Sequence, residues 1–267
     1  MTPQRIIDMH AHAFPDALAG RAVAHLERQG GITAALDGTV GALLASMDRA
    51  GIERAVICSI ATDPGQFRAI LRWSAAIAGP RLCPFPSVHP ASPDALEEIR
   101  QVAAAGFRGV KLHPEYQGFH VDDPRLEPFY RALDREGLVA LFHAGHDIGF
   151  PDSDRAAPQR FLALHRAFPG LDVVASHLGG FRRWSEVAEH LVGTGVWLDT
   201  SYTLGHIPPP LLAEILGYHR PDRLLFGSDS PWVDQVEAVA GILALNLPED
   251  LKERILGANA AALLRRT

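Results

Sequence analysis

Cysteine is nearly missing from this chain: Cys58 and Cys83 are the only two in 267 residues. Two thiols exclude a disulfide framework. Both lie in apolar runs, Ala55-Val56-Ile57-Cys58 and Leu82-Cys83-Pro84-Phe85, as small buried side chains do. Long hydrophobic runs are also absent: no stretch reaches about 18 apolar residues, which argues against a helical membrane span. The first residues lack the charged, apolar and small-residue regions of a signal peptide. The expected location is the cytoplasm. Net charge is only −6, with no block of one sign, so there is no electrostatic footprint for nucleic acid. No Gly-x-Gly-x-x-Gly follows the first extended run, which weakens a dinucleotide-binding reading. The expected partner is a small-molecule substrate, with neither nucleic acid nor membrane. A homodimer is the expectation from how common twofold homo-oligomers are.

What the chain has in excess is histidine, 13 residues. Their placement follows from the pattern of elements. Short β-rich runs at 5–11, 54–60, 82–88, 108–112, 138–143, 172–176, 196–199 and 224–227 alternate with helical patterns. These helices are expected at 40–50, 65–78, 93–105, 124–136, 158–168, 183–193, 208–216 and 234–245. A last helix is expected at 249–265. Several boundaries carry their own punctuation: Ser92 and Pro93 open one helix and Gly106 closes it, while Pro124 and Gly137 bracket the next. Eight strands alternating with eight helices predict an α/β fold, a single (β/α)8 TIM barrel with a C-terminal helix, as one domain over residues 1–267. Two longer stretches, 13–39 (partly helical) and 144–157, are candidate lids.

In such barrels the site lies at the C-terminal ends of the strands. The first strand ends in Asp8-Met9-His10-Ala11-His12, and alternate residues of a strand share a face, so His10 and His12 can grip one divalent ion. Later runs end at Lys111 and His113, at His143, at His177 and at Asp229. One histidine on an apolar strand is usually a core residue. Polar residues at the same end of five strands point instead to a metal centre. Imidazole and carboxylate suit zinc and other first-row ions, and zinc, as one or two ions, is the expected cofactor. Asp229 can both ligate and take a proton from water, and His177 can stabilise developing charge or bind a second ion.

Asp8-Met9-His10-Ala11-His12, His143, Ser176-His177-Leu178-Gly179-Gly180 and Phe226-Gly227-Ser228-Asp229-Ser230-Pro231 resemble the amidohydrolase superfamily. The similarity is closest to the amidohydrolase-related branch that includes aminocarboxymuconate-semialdehyde decarboxylase. The ending Ile255-Leu256-Gly257-Ala258-Asn259 resembles that branch as well. The resemblance implies that His10, His12, His143 and Asp229 hold the metal. It implies that His177 is either a second-metal ligand or the catalytic histidine of one-metal members. Lys111 stands where a carboxylated lysine bridges two ions in two-metal members; otherwise it pairs with Asp229 or a substrate carboxylate. The resulting expectation is a metal-dependent hydrolase that uses activated water on an amide, lactone or other ester. The alternative is a non-oxidative decarboxylase of an aromatic or unsaturated acid. A third reading, a metal- or ligand-binding barrel without catalysis, predicts a missing ligand or base, and every expected position is filled.

Substrate-binding candidates are His113, His89, Tyr116, His146 and Arg182, all on segments leaving the same rim; an arginine there can take a carboxylate bidentately. Asp199 at the end of the seventh strand is a candidate to orient a ligand histidine. His25, His165, His190 and His219 fall in or beside helical patterns and are expected on the outer surface.

Overall fold

Strand β1, Ile6–Ala11, is an almost wholly buried run, so it must be covered on both faces. In the computed structural model, which describes residues 5–265, it opens a cycle of parallel strands. The outermost residues of the expected domain, 1–4 and 266–267, lie outside the described ones. The other strands are β2 (Ile52–Cys58), β3 (Leu82–Phe85), β4 (Gly109–Leu112), β5 (Val139–Phe142), β6 (Val173–Ala175), β7 (Trp197–Asp199) and β8 (Leu224–Leu225). The helices are α1 (Asp16–Gly30), α2 (Val40–Ala50), α3 (Phe67–Ile77), α4 (Ala95–Ala104), the single turn α5 (Pro114–Gln117), α6 (Glu127–Arg135), α7 (Pro158–Ala167), α8 (Trp184–His190), α9 (Pro209–Tyr218), α10 (Gln235–Ala244), α11 (Glu249–Glu253) and α12 (Asn259–Leu263).

The regular ladders run β1-β2-β3 and β4-β5-β6-β7-β8, all parallel. Isolated hydrogen bonds, outside the regular ladders, close the two seams. At β3/β4 the Lys111 N–H donates to the Pro86 carbonyl at 2.9 Å. Proline returns no N–H, and the Ser87 hydroxyl donates to the Lys111 carbonyl at 2.8 Å instead. At β8/β1 the Met9 N–H donates to Phe226 and the Asp229 N–H to His10, both at 2.8 Å. The result is the (β/α)8 barrel that the alternation predicts.

Its interior is packed with Ile7, Val56, Phe85, Leu141, Val174 and Leu225, in one cluster with Ala260 and Leu263 of α12. The C-terminal helix therefore plugs the end opposite the histidines. That helix is not the continuous 249–265 of the sequence pattern. A π-helical turn, Arg254–Ala258, divides it, and a Cβ on Gly257 would stand 1.8 Å from the Arg5 carbonyl oxygen. The stretch after β1 is partly helical, as expected: α1 takes 15 of its residues.

A candidate metal centre at the C-terminal rim

Simple alternation does not by itself bring His10 inward. Met9 belongs to the interior cluster, and its neighbour His10 also faces across the barrel. A bulge reconciles the two: β1 runs from Asp8 to Ala11 while β2 runs only from Ala55 to Ile57. The strand ends opposite are bent as well. His177 and Asp229 both sit in the left-handed region, at φ 59° and 66°. Such conformations are uncommon for residues with a side chain and must be held by their surroundings. The His177 N–H donates to Asp199 at 3.2 Å, and the Asp229 N–H to the His10 carbonyl at 2.8 Å. These bends also end β6 and β8 earlier than the apolar runs suggest.

Five imidazoles form a row along the cavity floor. Ring centres lie 5.1 Å apart from His12 to His10, 5.3 Å from His10 to His177, 4.8 Å from His177 to His143 and 4.4 Å from His143 to His113. Four of these rings can spend one nitrogen as a donor on the protein. His12 Nδ1 donates to the Cys58 carbonyl at 2.8 Å, and His10 Nδ1 to Asp199 Oδ2 at 3.1 Å. His177 Nδ1 donates to the Ser201 carbonyl at 2.9 Å, and His143 Nε2 to the His146 carbonyl at 3.3 Å. Each donor fixes the tautomer and leaves the other nitrogen as an acceptor facing the cavity, where Lys111 Nζ lies 3.0 Å from His10 Nε2. His10 Nε2 and His12 Nε2 lie 3.4 and 3.3 Å from Asp229 Oδ1. His177 Nε2 and His143 Nδ1 face each other at 3.0 Å. Lone pairs converging on one another and on a carboxylate repel unless a cation sits among them. This donor chemistry fits a first-row divalent ion.

Burial sets the charge states. It pushes the His10 imidazole down to about 4, with Lys111 adding to the effect. Burial also holds His113 and His143 well below the usual imidazole range. For Asp229, burial pushes upward, but His12, His10 and His177 close beside it outweigh that, so the carboxyl lies below its usual range. Asp199 is likewise held down against burial, by His10, His177 and the Ser201 hydroxyl. His10, His113 and His143 are thus held neutral and Asp199 and Asp229 ionised, the protonation states that metal ligation requires.

His10, His12 and Asp229 bring their ligand atoms within 4.8 Å of one another. His143 groups in the same way with His113 and Asp147, not with the first set. Lys111 is 1% exposed, with its Nζ 3.0 Å from His10 Nε2, and burial lowers its pKa. Tyr116, on α5, packs edge-on against His113 at 4.5 Å, and both line the cavity with His146. Two expected substrate contacts do not reach it. His89 accepts the Ala91 N–H at 3.1 Å, because Pro90 turns the chain back on it. Arg182 is exposed and lies over the Phe181 ring at 5.2 Å, its own backbone in the left-handed region. His219 is not on the surface: it is 3% exposed and bonded to the Val196 carbonyl at 3.0 Å. Sequence reasoning missed Asp147, 3.3 Å from His113 Nε2, and Ser201, whose hydroxyl touches His10 and His177. Asp147 follows a strand end by five residues, a weak signal. Ser201 stands two residues after Asp199, a spacing that could have marked it.

Comparison with known proteins agrees with the barrel fold. The chain is similar in fold to an uncharacterised TIM-barrel protein from Bordetella bronchiseptica, with 22% identity, 98% of this chain and 99% of that one covered, and a TM-score of 0.80. It is similar to 5-carboxyvanillate decarboxylase from Sphingomonas paucimobilis, with 19% identity, 99% and 100% coverage and a TM-score of 0.73. It is also similar to 5-carboxyvanillate decarboxylase from Novosphingobium aromaticivorans complexed with manganese and 4-hydroxy-3-methoxy-5-nitrobenzoic acid, with 16% identity, 98% and 96% coverage and a TM-score of 0.71. No curated protein matches the chain in sequence. The Amidohydrolase family model matches residues 7–266, nearly the whole chain, and the protein belongs to that family.

Proposed function

We propose that this protein is a metal-dependent hydrolase of a small-molecule ester, lactone or amide. The observation that carries the reading is the division of the inward donors into two sets. His10 and His12 face Asp229, while His143 faces His177. Lys111, a buried amine against His10, lies beside the first set. His10, His12 and Asp229 would hold one ion; His143 and His177 would hold a second, with Lys111 between if it is carboxylated. A divalent ion in such a site supplies Lewis acidity and lowers the pKa of water. Asp229 takes the water proton and returns it to the leaving oxygen or nitrogen as the acyl C–O or C–N bond breaks. One water is consumed, and an acid and an alcohol or amine leave. His177, held by the Ser201 carbonyl and the Asp199 side chain, would present Nε2 as an acceptor to that second ion.

A second reading is favoured by the decarboxylases that share the fold. In it the bond between the substrate carbon and its carboxylate breaks, carbon dioxide leaves, and the electron pair on carbon takes a proton that His177 Nε2 or Asp229 has first picked up from solvent. The two differ in what is released. Protein loaded with zinc or manganese is assayed against aryl esters, lactones, anilides and hydroxybenzoates, following acid production and carbon dioxide separately. Acid from the esters, lactones or anilides without carbon dioxide is the expected result. Carbon dioxide from the hydroxybenzoates alone overturns it in favour of decarboxylation, and inactivity on the whole panel contradicts both.

A further inference from the structure

The floor does not account for the cavity, which measures about 590 Å³, a size ordinary for a ligand pocket. Its charged residues other than histidine are Lys111, Asp147 and Asp229. Each lies within 3.4 Å of a floor imidazole: Lys111 at 3.0 Å from His10, Asp147 at 3.3 Å from His113, and Asp229 at 3.3 Å from His12. Charge is therefore confined to one end. Above it the walls are two helices. On α1, Leu18, Ala22 and Leu26 recur every four residues and line the cavity. On α3, Ile70 and Trp73 line it opposite. The helix α1 is seated by its other face, where Ala19 and Val23 are buried. Its inner stripe is left facing open space, and Leu18 is 46% exposed. Apolar stripes on adjacent helices normally close on one another; these line a cleft instead.

We propose that the cleft between α1 and α3 is a subsite for an uncharged, apolar portion of the substrate. The site then takes molecules with one polar reacting head, seated at the histidine floor, and an aryl or alkyl body. It discriminates against a second charged group, because among the described residues no arginine and no lysine other than Lys111 lines the cavity. A carboxylate placed between Leu26 and Trp73 would lose its hydration with no cation to replace it. The assignment of the head to the floor rests on the proposed function; the apolar cleft does not.

The test is calorimetric binding to the zinc-loaded protein, with benzoate, para-butylbenzoate, terephthalate and the uncharged para-butylphenol as probes. The expected result is that para-butylbenzoate binds at least ~10-fold tighter than benzoate, since several methylenes leave water. Terephthalate should bind no tighter than benzoate. In Leu26→Asp and in Trp73→Ala the butyl advantage should fall by ~5-fold or more, with benzoate affinity unchanged. Equal binding of benzoate and its butyl derivative overturns the inference, as does an advantage that survives in both variants or a tighter terephthalate. If no carboxylate binds but para-butylphenol does, and Leu26→Asp removes it, the cleft assignment stands and the reading of the floor fails. If no probe binds at all, the cleft assignment falls.

Discussion

Asp199 does the most work that no ligand list would show. It is fully buried, accepts from His10 Nδ1, and holds the backbone of His177 and Ser201. Asp199→Asn keeps the shape but replaces one acceptor oxygen with a donor. Metal affinity should then fall ~10–100-fold, as it does when such outer partners of a ligand histidine are changed. Competition with a chromophoric chelator measures it, and unchanged affinity would show that His10 needs no orienting carboxylate. His219 gives a prediction of a different kind. Burial lowers its imidazole to about 4, below the usual value near 6.5. A depressed histidine contributes stability that is present above its unfolded pKa and is lost as pH falls through the folded one. Here the window runs from about 6.5 down to about 4, and the contribution is on the order of 3 kcal/mol. Urea unfolding of the protein and of His219→Gln should therefore converge as pH drops from ~7 to ~4. A stability gap independent of pH would mean that the ring is not held neutral.

At the scale of elements, the π turn within the last helix has a specific cause. Arg254–Ala258 widens where Gly257 passes the Arg5 carbonyl at the start of β1, a contact that leaves no room for a methyl group. Gly257→Ala should cost about 1–3 kcal/mol and lower Tm by roughly 5 °C, measured by calorimetry. An unchanged Tm would mean that the helix can shift away. This turn was illegible in the sequence because its cause lies some 250 residues away. The strands were legible because buried parallel strands are short apolar runs closed by polar residues, as at Leu141-Phe142-His143 and Val174-Ala175-Ser176-His177. The same rule fails at His89 and Arg182. Proline in one case and a left-handed backbone in the other carry the side chain off the rim. Helix α1 was legible only as a partly helical stretch without bounds, because Pro15, Gly20 and the Gly30-Gly31 pair interrupt the pattern, yet its stripe at positions 18, 22 and 26 was there to be counted.

For the molecule as a whole, a packed barrel interior plugged by α12 supplies a rigid base, and the opposite rim collects groups that mutually repel when empty of charge balance. Imidazole nitrogens facing one another and an ionised Asp229 are costly to bury and become favourable around a cation. A bound ion should also stabilise the fold, by about 3–4 kcal/mol when present at 100–1,000 times its dissociation constant. The reaction and its substrate follow from that centre, so the metal is the point to measure. Elemental analysis of protein purified without chelator, beside the His12→Ala/Asp229→Ala double variant verified as folded by circular dichroism, tests it directly. Between about one and two divalent ions per chain in the parent protein, with almost none in the variant, is the predicted result. A parent protein that stays metal-free after incubation with zinc or manganese, or a variant that keeps the same content, would contradict a metal centre at this rim.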